Sequence, residues 1–225
     1  MPEQTRISRL LTWGLSVFFH ALYHPFAWSY DWVAAIVSLG RWKAWVLSVL
    51  PDLPGPRVLE IGHGPGHLQI ALTHLSVTVF GIDESRQMGR ISQRRLRRRG
   101  IGGLLVNGLA QSLPYHDACF NQVVATFPAP FIIDKHTLEE IYRVLIPGGT
   151  LIVLPVAWIT GSSPTEKLAA SIFHLLGQAP NWDDINLQPF LQTSFTATVE
   201  RRKLPGSEIL LIKAWKQSVE LSSAI

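Results

Sequence analysis

Three glycines on alternate positions, Gly62, Gly64 and Gly66, follow the apolar run Val58-Leu59-Glu60-Ile61, and a carboxylate, Asp83, closes a second apolar run, Val79-Phe80-Gly81-Ile82. A loop without Cβ atoms can adopt positive φ and let a ligand lie directly on the backbone. The interval from the loop to Asp83 is about the twenty residues that separate a glycine turn from the acid that receives a ribose. The pair describes a nucleotide-type site and a cofactor-dependent enzyme. A dinucleotide fingerprint would space its glycines G-x-G-x-x-G, and the position that pattern needs as glycine is His67. The loop therefore fits a dinucleotide poorly, which disfavours a nicotinamide-dependent oxidoreductase. Glu60, at the strand end, can either organise the loop or meet a cationic group of the ligand. Asp83 can either accept from ribose hydroxyls or cap the following helix, a role open to Ser85 as well.

The elements that must hold these residues read as alternating strands and helices. Strands are predicted at Arg57–Ile61, Val77–Ile82, Gly103–Asn107, Gln122–Thr126 and Thr150–Pro155. Such alternation gives a parallel sheet with its ligand site at the carboxyl ends of the strands, where the glycine loop and Asp83 both fall. Thr196–Arg202 and Ile209–Trp215 flank Pro205-Gly206-Ser207, a turn composition that suits a hairpin. The 225 residues suffice for one sizeable core, and 47% hydrophobic content with eight tryptophans is high for a soluble enzyme. Cys119 is the one cysteine, which excludes an intrachain disulfide and any multi-cysteine metal site.

The chain resembles the class I S-adenosylmethionine-dependent methyltransferases, in the group that modifies quinones and sterols. Glu60-Ile61-Gly62-His63-Gly64-Pro65-Gly66 resembles the family's E/D-x-G-x-G-x-G loop, and Asp83-x-Ser85-x-x-Met88 the segment after its second strand. Leu113-Pro114-Tyr115 with Cys119-Phe120-Asn121 resembles L-P-F…S-F-D, and Leu138 to Gly149 resembles E-x-x-R-V-L-x-P-G-G. The motifs occur in the family's order between Arg57 and Leu154. Leu109 stands where relatives often carry an adenine-binding aspartate, and Asn121 replaces the usual aspartate after the phenylalanine.

The resemblance implies an α/β, Rossmann-like three-layer sandwich with a mostly parallel seven-stranded sheet and an antiparallel final strand. It implies S-adenosylmethionine as cofactor, held by Glu60, Gly62, Gly64, Gly66, Asp83 and Met88, with Ala110 and Gln111 at the adenine. Tyr30-Asp31 resembles a pair that relatives place near the cofactor, so Tyr30 joins this set. The domains expected are a helical lid over residues 1–50 and the methyltransferase domain over 51–225. A methyl on a sulfonium already has a good leaving group, so positioning in a water-poor pocket can supply much of the acceleration. An oxygen acceptor would still need a base, for which His20, His24 and His63 are the candidates, His63 having the best location. No metal is expected.

Leu10 to Tyr30 contains no charged residue, yet Thr12, Ser16, His20 and His24 would form one polar stripe on a helix that Pro25 interrupts. A polar stripe with flanking tryptophans suits a lid over an apolar pocket, or a segment lying at a bilayer surface, better than a membrane span. The run Arg94-Arg95-Leu96-Arg97-Arg98-Arg99 could neutralise phosphates, but it precedes Gly100 and closes the helix beginning near Ser85, where cations complement the macrodipole. A formal charge of +4 and the lack of a nucleic-acid module make a nucleic-acid partner the weaker reading. The expectation is a cytoplasmic enzyme, peripheral to the membrane at most, acting on a small hydrophobic acceptor. A noncatalytic protein that keeps the fold and an RNA methyltransferase are the alternatives, and the oligomeric state stays open.

Overall fold

The computed structural model describes residues 38–75, 77–160 and 186–218. A short helix, α1 (Trp42–Leu47), leads through a 3-10 turn at Leu50–Asp52 into β1 (Arg57–Ile61). Then follow α2 (His67–Thr73), β2 (Thr78–Asp83), α3 (Arg86–Arg97), β3 (Leu104–Asn107), β4 (Phe120–Thr126), a 3-10 turn at Pro130–Ile133, and α4 (Lys135–Val144). The described part ends with β5 (Leu145–Ile159), α5 (Gln188–Gln192), β6 (Phe195–Leu204) and β7 (Ser207–Lys216).

The strands form one seven-stranded sheet in the order β3-β2-β1-β4-β5-β7-β6. Pairing is parallel from β3 to β5, and β7 runs antiparallel to both β5 and β6. This is the mostly parallel sheet with an antiparallel final strand that the resemblance implies. The order reverses between β1 and β4, so the crevice at their carboxyl ends is where a ligand finds room.

Alternation along the strands divides the core into two layers. Leu59, Ile61, Ile82, Val123, Ala125 and Leu151 face Leu138, Ile141 and Val144 of α4, while Val58, Val79, Val124 and Ile152 face Leu68 and Leu72 of α2 with Trp45 and Val46 of α1. Burial of each such side chain stabilises the fold by roughly 1.5–3 kcal/mol relative to exposure. A sheet buried on both faces explains why the strands read as near-continuous apolar runs.

The fifth strand is longer than its predicted span of Thr150–Pro155. It begins at Leu145, directly after α4, and continues past Pro155 to Ile159. The register against β7 shifts between Val153 and Val156, and Pro155 sits in that irregularity, where its missing N–H removes no regular ladder bond. The hairpin is present, with Gly206 at φ 64° in the tight connection between β6 and β7.

Candidate functional site

Both anticipated carboxylates come to the crevice at the carboxyl edge of the sheet. Gly62 donates its N–H to Ile82 O at 2.8 Å, tying the start of the loop to β2. Gly64 donates to Asp83 Oδ2 at 2.8 Å, and Ser85 donates its N–H to Asp83 Oδ1 at 2.8 Å. The buried Asp83 side chain therefore joins the glycine loop to the turn before α3. Capping falls to Ser85, whose Oγ accepts from Met88 N at 3.3 Å. Each Asp83 oxygen keeps a second acceptor site, so this bracing and a ribose contact are compatible.

Gly62, Gly64 and Gly66 take φ of 69°, 49° and 82°, the left-handed region that favours glycine. A Cβ at Gly66 would lie 2.2 Å from Ser92 Oγ, whereas one at Gly64 would meet nothing within 4 Å. The loop thus presses on α3 at one end and presents bare backbone to open space in its middle.

Glu60 lies beneath the loop, 2% exposed, and accepts from Gln69 Nε2 at 2.7 Å. Burial pushes its pKa up to about 8; the Gln69 hydrogen bond opposes the rise and the nearby Asp83 charge adds to it. No lysine or arginine among the described residues pairs with it. Gln69 also donates to Phe80 O at 3.2 Å, so it links β1, α2 and β2.

His63 is 3% exposed, with Nδ1 placed 2.8 Å from Gly64 O. That carbonyl can only accept, so Nδ1 carries the proton of this contact, and Nε2 is a buried atom with no hydrogen-bond partner among the described residues. The ring packs over Gly81 of β2, whose Cβ would lie 3.0 Å from His63 Cδ2. His67, at the position where a dinucleotide loop would carry glycine, opens α2 and meets Arg95 Nη1 at 3.0 Å.

Met88 is fully buried, Ala110 is buried, and Gln111 is exposed next to Leu109, which is 54% exposed. Asn107, absent from the expected set, donates Nδ2 to the carbonyls of Asp83 and Glu84, each at 2.8 Å, and so ties the end of β3 to the same turn. Glu140 and Arg143 of α4 hold the segment after Ala110. Glu140 Oε2 accepts from Leu113 N at 2.7 Å, and Arg143 donates to Leu113 O, Tyr115 O and Asp117 Oδ1. Arg143 beside Glu140 holds the Glu140 carboxyl below its ordinary range. Their E-x-x-R spacing, one helical turn, was the available signal for this pair; Gln69 and Asn107 carry none.

A space of about 20 Å3 lies against the loop, lined by Gly62, His63, Gly64 and Pro65, by Trp42 and Val46 of α1, and by Thr126 of β4. It is room for about one water, so α1 closes over the loop. His20, His24 and Tyr30 lie outside the described residues. Among the described residues no group of three His, Cys, Asp or Glu could hold a metal, and no helix is long and apolar enough to cross a membrane.

The chain is similar to the ubiquinone/menaquinone biosynthesis C-methyltransferase UbiE of Shewanella sp. (strain ANA-3), with 31% identity over 165 residues. That match covers 68% of this chain and 63% of the relative. The demethylmenaquinone methyltransferase of Anoxybacillus flavithermus (strain DSM 21510 / WK1) is 31% identical over 143 residues, 60% of each chain. The chain thus spans less than two thirds of the length of these curated relatives. Among solved structures, a Thermotoga maritima S-adenosylmethionine-dependent methyltransferase, described as a possible histamine N-methyltransferase, superposes with a TM-score of 0.59 at 21% identity, over 88% of this chain and 99% of that one. Phosphoethanolamine N-methyltransferase 2 of Haemonchus contortus, bound to S-adenosylhomocysteine, gives 0.60 at 17% identity, over 86% of this chain and 57% of that one. These structural likenesses show the fold. The model of the ubiE/COQ5 methyltransferase family matches residues 16–181, and with the UbiE likeness this shows that the chain belongs to that family.

Proposed function

We propose that this protein transfers a methyl group from S-adenosylmethionine to a small, hydrophobic, quinone-like acceptor. One observation carries the reading: a buried acid, Glu60, paired with no lysine or arginine among the described residues, lies directly under a left-handed glycine loop that a second acid, Asp83, holds in place. S-adenosylmethionine fits that arrangement, because it brings its own cationic groups, ribose hydroxyls and a chain that needs bare backbone.

When bound, the cofactor supplies an electrophilic methyl group: the carbon–sulfur bond breaks with its electron pair left on sulfur, the acceptor's nucleophilic atom forms the new bond, and the acceptor's displaced proton goes to solvent or a basic side chain. Gly62, Gly64 and Gly66 would admit the methionine portion, Glu60 would meet its ammonium group, and Asp83 would accept from the ribose hydroxyls. Ala110 and Gln111 would face the adenine, with Leu109 giving apolar contact where an acid would give a hydrogen bond. Met88 would support the turn from below through its buried side chain. His63 lines the closed space beside His67, and its Nε2 has no hydrogen-bond partner among the described residues, so this atom is placed to receive a proton.

The family relatives named for ubiquinone and menaquinone biosynthesis support a quinone-type acceptor. Such an acceptor resides in lipid, which supports reading the protein as cytoplasmic with peripheral membrane contact. Calorimetric titration with S-adenosylmethionine tests the cofactor: saturable binding that Asp83→Ala weakens at least tenfold is expected. Transfer of labelled methyl to a short-chain demethylated hydroquinone tests the acceptor class. Native protein that binds neither S-adenosylmethionine nor S-adenosylhomocysteine would overturn the proposal.

A further inference from the structure

Gly81 stands inside β2 with no side chain to pack, paired in register with Glu60 of β1. Glycine within a strand weakens it, and it often marks a place where another group approaches the backbone closely. A Cβ at Gly81 would lie 3.0 Å from Gln69 Nε2, 3.0 Å from His63 Cδ2 and 2.7 Å from Leu105 Cδ2. The missing side chain therefore makes room for the amide of Gln69, which enters from α2 and bonds to Glu60.

Gln69 is 1% exposed. Its Nε2 lies 2.7 Å from Glu60 Oε2 and 3.2 Å from Phe80 O, and because the carbonyl can only accept, the amide is fixed with its nitrogen toward both. Gln69 Oε1 is buried and has no hydrogen-bond partner among the described residues, so the side chain carries the cost of lost hydration. Holding α2 on the sheet does not require that cost. Leu68 and Leu72 of the same helix are fully buried and supply its apolar packing, in a cluster with Val58 and Val79. What the amide provides and an apolar side chain cannot is a donor to Glu60. Burial raises the Glu60 pKa, and the Gln69 hydrogen bond opposes that rise by favouring the carboxylate. Glu60 in turn lines the space against the loop, together with Gly62, His63, Gly64, His67 and Leu68.

Resting on the methyltransferase reading above, we infer that Gln69 is a positioning residue for the cofactor: by occupying Glu60 Oε2, it turns the other oxygen, Oε1, toward the ammonium group of S-adenosylmethionine. Gly81 belongs to the same device, since a side chain there would crowd the amide that does the holding. Gln69 itself touches neither cofactor nor acceptor; it acts through Glu60.

The test titrates the full chain by calorimetry with two ligands that share the adenosine and the thioether sulfur. S-adenosylhomocysteine carries the ammonium group; 5′-methylthioadenosine lacks it. Gln69→Met keeps the length of the side chain and removes the donor. This variant should bind S-adenosylhomocysteine at least tenfold more weakly than native protein, and 5′-methylthioadenosine within twofold of it. A residue that only held α2 in place would weaken both ligands alike. The coupling is read by a double-mutant cycle: with Glu60→Gln already present, Gln69→Met should change S-adenosylhomocysteine affinity less than twofold. Native S-adenosylhomocysteine affinity in Gln69→Met would overturn the inference, as would a full tenfold loss on top of Glu60→Gln. Gln69→Leu is the second variant, and loss of 5′-methylthioadenosine by both Gln69→Met and Gln69→Leu would show that Gln69 only supports the fold, which also overturns it. Native protein that binds neither ligand would instead sink the methyltransferase reading, and this inference with it, before any variant is compared.

Discussion

The amide of Gly64 and the carboxylate of Asp83 are joined across the crevice by a hydrogen bond of 2.8 Å, so the loop that would carry a methionine chain and the acid that would carry a ribose are one mechanical unit. The second Asp83 oxygen holds Ser85 N, which extends the unit to the first turn of α3. Asp83→Asn keeps one acceptor oxygen, and its amide nitrogen cannot accept, so one of the two N–H groups loses its partner; hydrogen bonds to a charged group are worth about 1.5–3 kcal/mol each. This variant should lose about 1–3 kcal/mol of stability and bind S-adenosylmethionine at least tenfold more weakly, as read by urea denaturation and calorimetry.

Glu60 gives the fold a pH dependence of definite sign. Burial pushes its carboxyl up to about 8 when folded, from an ordinary value of 4.5 that it regains when unfolded. The folded state then binds the extra proton between these limits, so the contribution to stability is full below pH 4.5 and is lost as pH rises toward 8. Glu60→Gln should flatten that decline in the ligand-free protein. S-adenosylmethionine, whose ammonium favours the carboxylate, should release protons on binding below pH 8, measurable as a dependence of calorimetric enthalpy on the buffer's ionisation enthalpy.

Arg143 reaches three acceptors on the Leu113–Asp117 segment while Glu140 holds its Nε and Nη2. A lysine is a compact charge and cannot serve that fork. Arg143→Lys should cost about 1–3 kcal/mol by thermal denaturation and speed amide exchange from Leu113 to Asp117. Because Arg143 holds the Glu140 carboxyl below its usual range, this contribution is present above pH 4.5 and fades as pH falls through the depressed value.

Gly66→Ala meets two separate penalties, a left-handed φ of 82° and a clash 2.2 Å from Ser92 Oγ. The backbone term alone is about 1–2 kcal/mol. Ser92→Gly in the same chain should restore the steric part and leave the backbone part, so the double variant should melt between the native protein and Gly66→Ala.

The sequence announces this site wherever backbone demands are met by residue type. Alternate glycines, Asp83 at a strand end and Ser85 before a helix each have a local cause, and the structure places each accordingly. The antiparallel β7 could be anticipated from the Pro205-Gly206 turn, but the length of β5 could not, because Pro155 reads as a stop and only the pairing with β7 shows that an irregularity accommodates it. Gln69, Asn107 and the Trp42–Phe127 stack are tertiary: their partners lie 9, 24 and 85 positions away, beyond any local period. Phe127 in particular looks like an ordinary apolar residue before Pro128, and nothing in the letters signals its positive φ.

The placement of β7 between β5 and β6 bears on how the chain comes to be made. Growing from the ribosome, β1 to β5 can assemble in order, yet β5 then waits with one long apolar margin bare until β6 and β7 have both emerged. An uncovered strand edge of that kind is a template for pairing with other chains. A chain cut after Leu204 would keep every cofactor-facing residue named above and should nevertheless accumulate in inclusion bodies, because the last strand closes a margin that the binding loop itself never touches.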